Sequence, residues 1–190
     1  TDKETDEALR ERFFEKVQQP ATTGNAYQYR QWAMEVPGVG DAKVFPLDSG
    51  PGTVGILIVD SEYKINSSLE SVVSEHIETV RPIGASVTVS SPVANTIAVS
   101  AKVLLDGTKT REEVLAAFKV NLEGYFKAIT FKEYRVSYAK VGSLLLSTEG
   151  AQDYDGLTLK GTSGNITIGE KEIPVMGAVN LEEVRTLGLE

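Results

Sequence analysis

With 190 residues, 41% of them hydrophobic and 24% charged, the chain has material for one ordinary domain or two small ones with a real core. A balance of 19 basic against 27 acidic residues gives a net charge of −8 with no Lys/Arg cluster, which makes nucleic acid an unfavourable partner. The lack of cysteine excludes disulfides, thiolate chemistry and cysteine-based metal sites, and the longest apolar run, residues 54–59, is far too short to span a bilayer.

Residues 1–18 are charged, with Leu9, Phe13, Phe14 and Val17 recurring at helical spacing, and Pro20 and Gly24 break the linker that follows. This segment, 1–24, is expected to form a helical arm. Asn25 is a helix cap, and Tyr29, Trp32, Ala33 and Val36 fall at i, i+3, i+4 and i+7 on one face. Pro37 stops that helix, Gly38 and Gly40 turn the chain, and 42–47 reads as a strand. After a Gly-Pro-Gly turn, 53–60 is a continuous apolar strand of the kind found at a sheet centre. Ser67 and Glu70 have capping-box spacing, ahead of a helix whose stripe holds Leu69, Val72, Val73, His76, Ile77 and Val80. Pro82 and Gly84 end it, and 85–90 reads as a short strand.

Residues 92–95 are expected to join two halves. Beyond them Ile97, Val99, Ala101, Val103 and Leu105 alternate as in a half-buried strand. Thr110 and Glu113 form a second capping box, opening a helix that buries Val114, Leu115, Phe118, Leu122, Tyr125 and Phe126. A short strand at 134–138, a short helix at 140–147 and strands near 154–159, 166–168 and 175–181 complete the chain. The expected fold is α+β: two small split β-α-β subdomains, 25–92 and 93–190, with mixed sheets, the N-terminal helical arm and a hairpin-like C-terminal tail.

The motifs with chemical potential are weak. Gly50-Pro51-Gly52-Thr53-Val54-Gly55 has the letters G-x-G-x-x-G, but its glycines lead into a strand, not a helix N-terminus that could hold a pyrophosphate. His76 is the single histidine, and it sits on an apolar stripe without an identifiable acid–base partner. Asp153-Tyr154-Asp155-Gly156 starts like a calcium loop, but Leu157 and Leu159 stand where further ligands are needed. No nucleophile elbow, H-E-x-x-H or P-loop occurs. The inventory points away from an enzyme, and no cofactor or metal is expected.

Four blocks carry a family resemblance. YRQWAMEVPGVGDAKVFPL, GPGTVGILIVD, RPIGASVTV and DYDGLTLKGTSGNITIGEKEIPVMG resemble, in order and spacing, the baseplate J-like family of contractile phage tails, in the branch of Mu-like phages and Bacillus prophages. The resemblance covers about residues 20–181. It implies a structural wedge protein of the virion, assembled in the bacterial host cytoplasm, that joins around the hub and contacts neighbouring wedge, hub and tail proteins. It transfers no catalytic residue. The structural motif positions are Tyr29, Arg30, Trp32, Val36, Pro37, Gly38, Gly40, Arg81, Pro82 and Gly84. Tyr29, Trp32 and Val36 are expected to anchor their helix on the sheet. The stripe of Leu9, Phe13, Phe14 and Val17 is the expected partner surface and a route to a homo-oligomer. Thr1 in place of an initiator methionine and the closing Leu189-Glu190 read as an excised fragment with a tag remnant, lacking the family's N-terminal portion. The alternative from another class is a small-molecule-binding α+β regulatory module with a pocket near 92–95.

Overall fold

The computed structural model describes residues 24–185, together with Asp6 and Arg10. The stripe of Leu9, Phe13, Phe14 and Val17 lies outside the described residues. Contacts divide the chain into two compact units, Thr1–Ser91 and Pro92–Glu190.

In the first unit, α1 (Ala26–Met34) leads to β1 (Val39–Pro46), β2 (Thr53–Asp60), α2 (Ser68–Val80) and β3 (Ser86–Ser90). Asn25 caps α1, its Oδ1 accepting from the Gln28 N–H at 2.8 Å. The sheet order is β1-β2-β3, with β1 antiparallel and β3 parallel to the central β2. A parallel neighbour requires a crossover, and α2 supplies it. Tyr29, Ala33 and Val36 of the α1 face meet Ala42, Ile56, Ile58, Val73 and Ile77 in one core. Ile56, Leu57, Ile58 and Val59 are all buried, as a continuous apolar strand in a central position should be.

The α2 stripe is narrower than expected. Val73 and Ile77 are buried, whereas Val72 and Val80 are exposed, each lying a step around the helix from the buried pair. Nor does the capping box at Ser67 form. The Ser67 side chain makes no cap bond, Asn66 Oδ1 takes the Ser68 N–H instead, and Glu70 reaches the backbone N–H of Ser91 at 2.8 Å.

The second unit is built from β4 (Val93–Leu105), α3 (Arg111–Ile129), β5 (Arg135–Val136), α4 (Tyr138–Leu146), β6 (Ala151–Leu159), β7 (Ile166–Thr167) and β8 (Glu172–Val184). The segment 93–95 belongs to β4, so the strand begins earlier than its alternation suggested. Its sheet runs β6-β4-β8, antiparallel on one side and parallel on the other. The closing strands do not pair with each other as a hairpin: β7 pairs with β5, and β8 lies along β4. Ile97, Val99, Ala101 and Val103 turn inward against Val114, Phe118, Leu122 and Phe126 of α3. The α3 capping box is complete, with Thr110 and Glu113 each accepting from the other's backbone N–H. The opposite sheet face is polar. There Lys102 stands in register between Asp155 and Glu182, an opposite-charge arrangement across both neighbours.

Two glycines separate backbone need from mere presence. A Cβ on Gly40 would lie 2.2 Å from the Asp60 carbonyl oxygen, while one on the mid-helix Gly124 would meet nothing within 4 Å. Gly40→Ala is therefore expected to cost about 1–3 kcal/mol. Gly124→Ala is expected to stabilise the isolated chain by up to about 1 kcal/mol, through helix propensity. Urea unfolding of both variants checks the opposite signs.

Candidate assembly surface

The helix-to-strand corner at 29–41 is organised by a charge pair and a close backbone approach. The β1 register shifts between Val39 and Asp41, a bulge on the side where Gly40 crosses Asp60. The shift leaves Asp41 buried, with its carboxylate accepting from Arg30 Nε at 3.1 Å, Arg30 Nη2 at 2.9 Å and the Ala42 N–H at 2.7 Å. Arg30 thereby ties α1 to the sheet. Its side chain stays 33% exposed against 6% for Asp41. Burial, followed by the nearby Asp41 charge, pushes the Tyr63 phenol above its ordinary range.

Trp32 is not the buried aromatic of this corner. Tyr29 is, at 2% exposure, and Trp32 packs edge-on against it with ring centroids 5.2 Å apart, at the margin of the core. Burial pushes the Tyr29 hydroxyl up, partly offset by the Arg81 charge. Val36 is buried, Pro37 is exposed, and Gly38 has φ +96°, a conformation a side chain disfavours.

Arg81, Pro82 and Gly84 build a second feature. The Arg81 guanidinium grips both carboxylate oxygens of Glu78 and donates to the Ala85 carbonyl, spanning the turn. That contact holds the Glu78 carboxyl below its ordinary range. Gly84 turns at φ +91°, and Ile83 stands fully exposed at the tip. The neighbouring β1–β2 turn is held by Leu47 N–H to the Thr53 carbonyl, Thr53 Oγ1 to the Gly50 carbonyl and Ser49 N–H to Thr53 Oγ1. It presents Leu47, 64% exposed with φ 59°. Gly52 and Ser86 are hydrogen-bonded at 2.8 Å, so both turns lie at the same end of the first unit's sheet. The G-x-G-x-x-G letters are this hairpin turn. A Cβ on Gly55 would press within 2.8 Å of the Asp48 carboxyl, so the glycine serves packing.

His76 does have a carboxylate partner: its Nε2 lies 2.9 Å from Glu35 Oε2, bridging α2 and α1. Sequence reasoning missed this pair and the Arg30–Asp41 pair, because both join segments that only the fold brings together. Both members are partly exposed, and the Thr79 hydroxyl beside His76 donates to its backbone carbonyl, not to the ring. Nothing there resembles an activated nucleophile. Among the described residues no three His, Asp or Glu side chains gather as a metal site, and no helix is long and apolar enough to cross a membrane. Asp153 and Asp155 accept from the following backbone N–H groups.

In the second unit Glu172 closes the last motif block. Its Oε2 accepts from Asn95 Nδ2 at 2.8 Å and the Gly169 N–H at 2.9 Å, while Asn95 Oδ1 accepts from Lys160 Nζ at 3.0 Å. The Gly169 amide, then Asn95, hold the Glu172 carboxyl below its ordinary range. This network staples the beginnings of β4 and β8 to the end of β6.

Comparison with known proteins places these blocks. The Baseplate J-like central domain model matches residues 21–91, and the Baseplate J-like protein C-terminal domain model matches 97–182. The chain is 33% identical over 190 residues to the phage-like element PBSX protein XkdT of Bacillus subtilis, covering 96% of this chain and 55% of that protein. It thus spans about half the length of that relative. It is 27% identical over 184 residues to the putative protein JayE of Escherichia coli, covering 94% of this chain and 67% of that one. Baseplate protein gp47 of Escherichia phage Mu is 34% identical over 95 residues, 43% of this chain and 26% of that protein. A chain in the cryo-EM structure of the anti-feeding prophage baseplate shares the fold, with TM-score 0.61 and 15% identity over 91% of this chain and 42% of that one.

Asp41→Ala is expected to destabilise the chain by roughly 2–4 kcal/mol by removing the carboxylate that ties Arg30 to the sheet, somewhat under the full cost for a wholly buried pair because Arg30 keeps water contact. Denaturant titration measures it. Glu172 supplies a pH test. Its folded-state pKa is below the ordinary 4.5, so its stabilisation is present above that pH and is lost as pH falls through the folded value. Glu172→Gln should lower stability at neutral pH and flatten the acid limb below about pH 4.5 in melts recorded across pH.

Proposed function

Because this chain belongs to the baseplate J-like family, we propose that it is a structural component of a contractile phage or prophage tail baseplate, acting through protein–protein assembly as a wedge element. The observation that carries this reading is the match of two adjacent family models, in order, over residues 21–91 and 97–182. Its partners would be other baseplate proteins, and its place the tail of the virion, assembled in the host cytoplasm. The name of the Mu relative supports that context, since that protein is a baseplate protein.

The surfaces support a role through shape. Leu47 and Ile83 stand out from two hydrogen-bonded turns at one end of the first unit, where a partner could bury both at small ordering cost. Tyr29, Arg30, Trp32, Val36, Pro37, Gly38, Gly40, Arg81, Pro82 and Gly84 act behind them as the frame that holds these turns and the α1 corner in place. The grooves of the second unit are open and charged. One, about 470 Å³, is lined by Leu104, Lys109, Arg111, Glu112 and Glu183, and no buried, unpartnered polar side chain points into it. That favours assembly over the alternative of a small-molecule regulatory module.

Complementation of a prophage lacking this gene tests the proposal. Leu47→Asp/Ile83→Asp should fold within about 0.5 kcal/mol of the parent yet leave tails without baseplates, whereas His76→Gln should restore them. Intact baseplates with the double aspartate variant would remove this end of the molecule as the assembly surface. Intact baseplates in the absence of the gene would remove the function itself.

A further inference from the structure

We infer that the face of the β1-β2-β3 sheet opposite α1 and α2 is covered by the chain's own N-terminal segment, through the stripe of Leu9, Phe13, Phe14 and Val17. The inference concerns the first unit alone and stands independently of the baseplate reading.

Side chains alternate across a strand, so β2 has two apolar faces. Ile56 and Ile58 share a core with Tyr29 and Ala33 of α1 and with Val73 and Ile77 of α2. Leu57 and Val59 point the other way and belong to neither hydrophobic core of the described residues. Yet both are buried, at 5% and 1% exposure. Neighbours within the sheet do not account for this. Lys43 and Ser90 flank Leu57, and Asp41 alone flanks Val59, because the β2–β3 pairing ends at Leu57 and Ser90. Phe45, two residues along β1 from Lys43, extends the same apolar band to the level of Gly55. A sheet face loses its water when a layer packs over it, at a distance of about 10 Å.

Reach, length and chemistry select the occupant. Leu57 and Val59 are buried within a single chain, so the cover belongs to this chain. The described part of the first unit opens at Gly24, whose N–H donates to Gln28 Oε1 at 2.8 Å and where a Cβ would lie 3.4 Å from Pro82. Extended, residues 18–23 reach up to roughly 20 Å, about twice the spacing between a sheet and its covering layer. As a helix, Leu9 to Val17 measures about 12 Å, against about 13 Å along β2 from Gly55 to Val59. The stripe and the band are thus both apolar and of one length. A tether this short holds the segment at about millimolar effective concentration, well above that of a second copy. The stripe is therefore used inside the first unit, as the third layer of an α/β/α arrangement.

The chain has no cysteine, which makes a single thiol diagnostic. Val59→Cys places it on the face in question, and Val73→Cys places it in the core under α1 and α2. Both should react slowly with iodoacetamide in the otherwise unchanged chain. Adding Phe13→Asp should speed the labelling of Val59→Cys at least about tenfold and leave Val73→Cys within about twofold, with circular dichroism unchanged. Phe13→Ala should act in the same direction more mildly, and it replaces the aspartate variant where that loses its fold. Protection of Val59→Cys that survives both substitutions would overturn the inference, as would equal acceleration at the two thiols. Protection lost on dilution of the otherwise unchanged chain would place another copy's segment on this face and overturn it equally.

Discussion

One backbone crossing governs the geometry of the first unit. Gly40 on β1 passes so close to the Asp60 carbonyl of β2 that even a methyl group would collide with it. The crossing is possible only without a side chain, and it occurs at the bulge that turns Asp41 inward. Once inside, the Asp41 side chain needs hydrogen-bond partners, and Arg30 and the Ala42 amide provide them. The ion pair fixes the rotation of α1 about its axis, which in turn sets Tyr29, Ala33 and Val36 over the sheet and brings Glu35 to His76 on α2. The missing Cβ at Gly40 thus permits the bulge on which the Arg30–Asp41 pair is built.

The parts of this fold that were legible in the sequence are those decided within a few residues. Thr110 and Glu113 satisfy each other's amides locally, so the capping box could be read, and so could the alternation of β4 and the periodicity of α3. Ser67 and Glu70 have the same spacing but a different outcome. The Ser91 amide, distant in sequence, competes for Glu70, and no local pattern announces it. The α+β class, the two mixed sheets and the family blocks could likewise be read, whereas the partner of β8 could not. Alternation shows which face of a strand is buried, but not which strand lies beside it. Trp32 makes the same point on a helix, where spacing gives the face and leaves depth open. The smaller aromatic, Tyr29, took the interior. Of the surface proposed for assembly, the sequence displayed the Pro82–Gly84 turn but not the Arg81–Ala85 contact that spans it beneath the exposed Ile83.

The exposed apolar residues of the described chain differ in how they are held, and the difference bears on what they are for. A hydrophobic side chain on a loose loop gains little from docking, since ordering the loop offsets much of the area it buries. Ile83 and Leu47 escape that loss. Arg81 locks one turn through Glu78 and Ala85, and the Thr53 hydroxyl and the β1–β2 hydrogen bonds lock the other, so both side chains are displayed in advance of any partner. Displaying Leu47 requires a left-handed backbone at a residue with a side chain, a strain of order 1 kcal/mol that no internal burial of Leu47 offsets. Gly124 on α3 poses the same question in reverse, a helix weakened where nothing inside the unit asks for it. Local choices that disagree with a chain's own fold are expected where another molecule completes the packing, and both of these sit on the outer surface of their unit. The interior of each unit, by contrast, follows its own rules closely, with apolar cores and few buried polar groups among the described residues. At Leu47 and Gly124, then, the local cost is borne on the outer surface, where burial against another molecule could offset it.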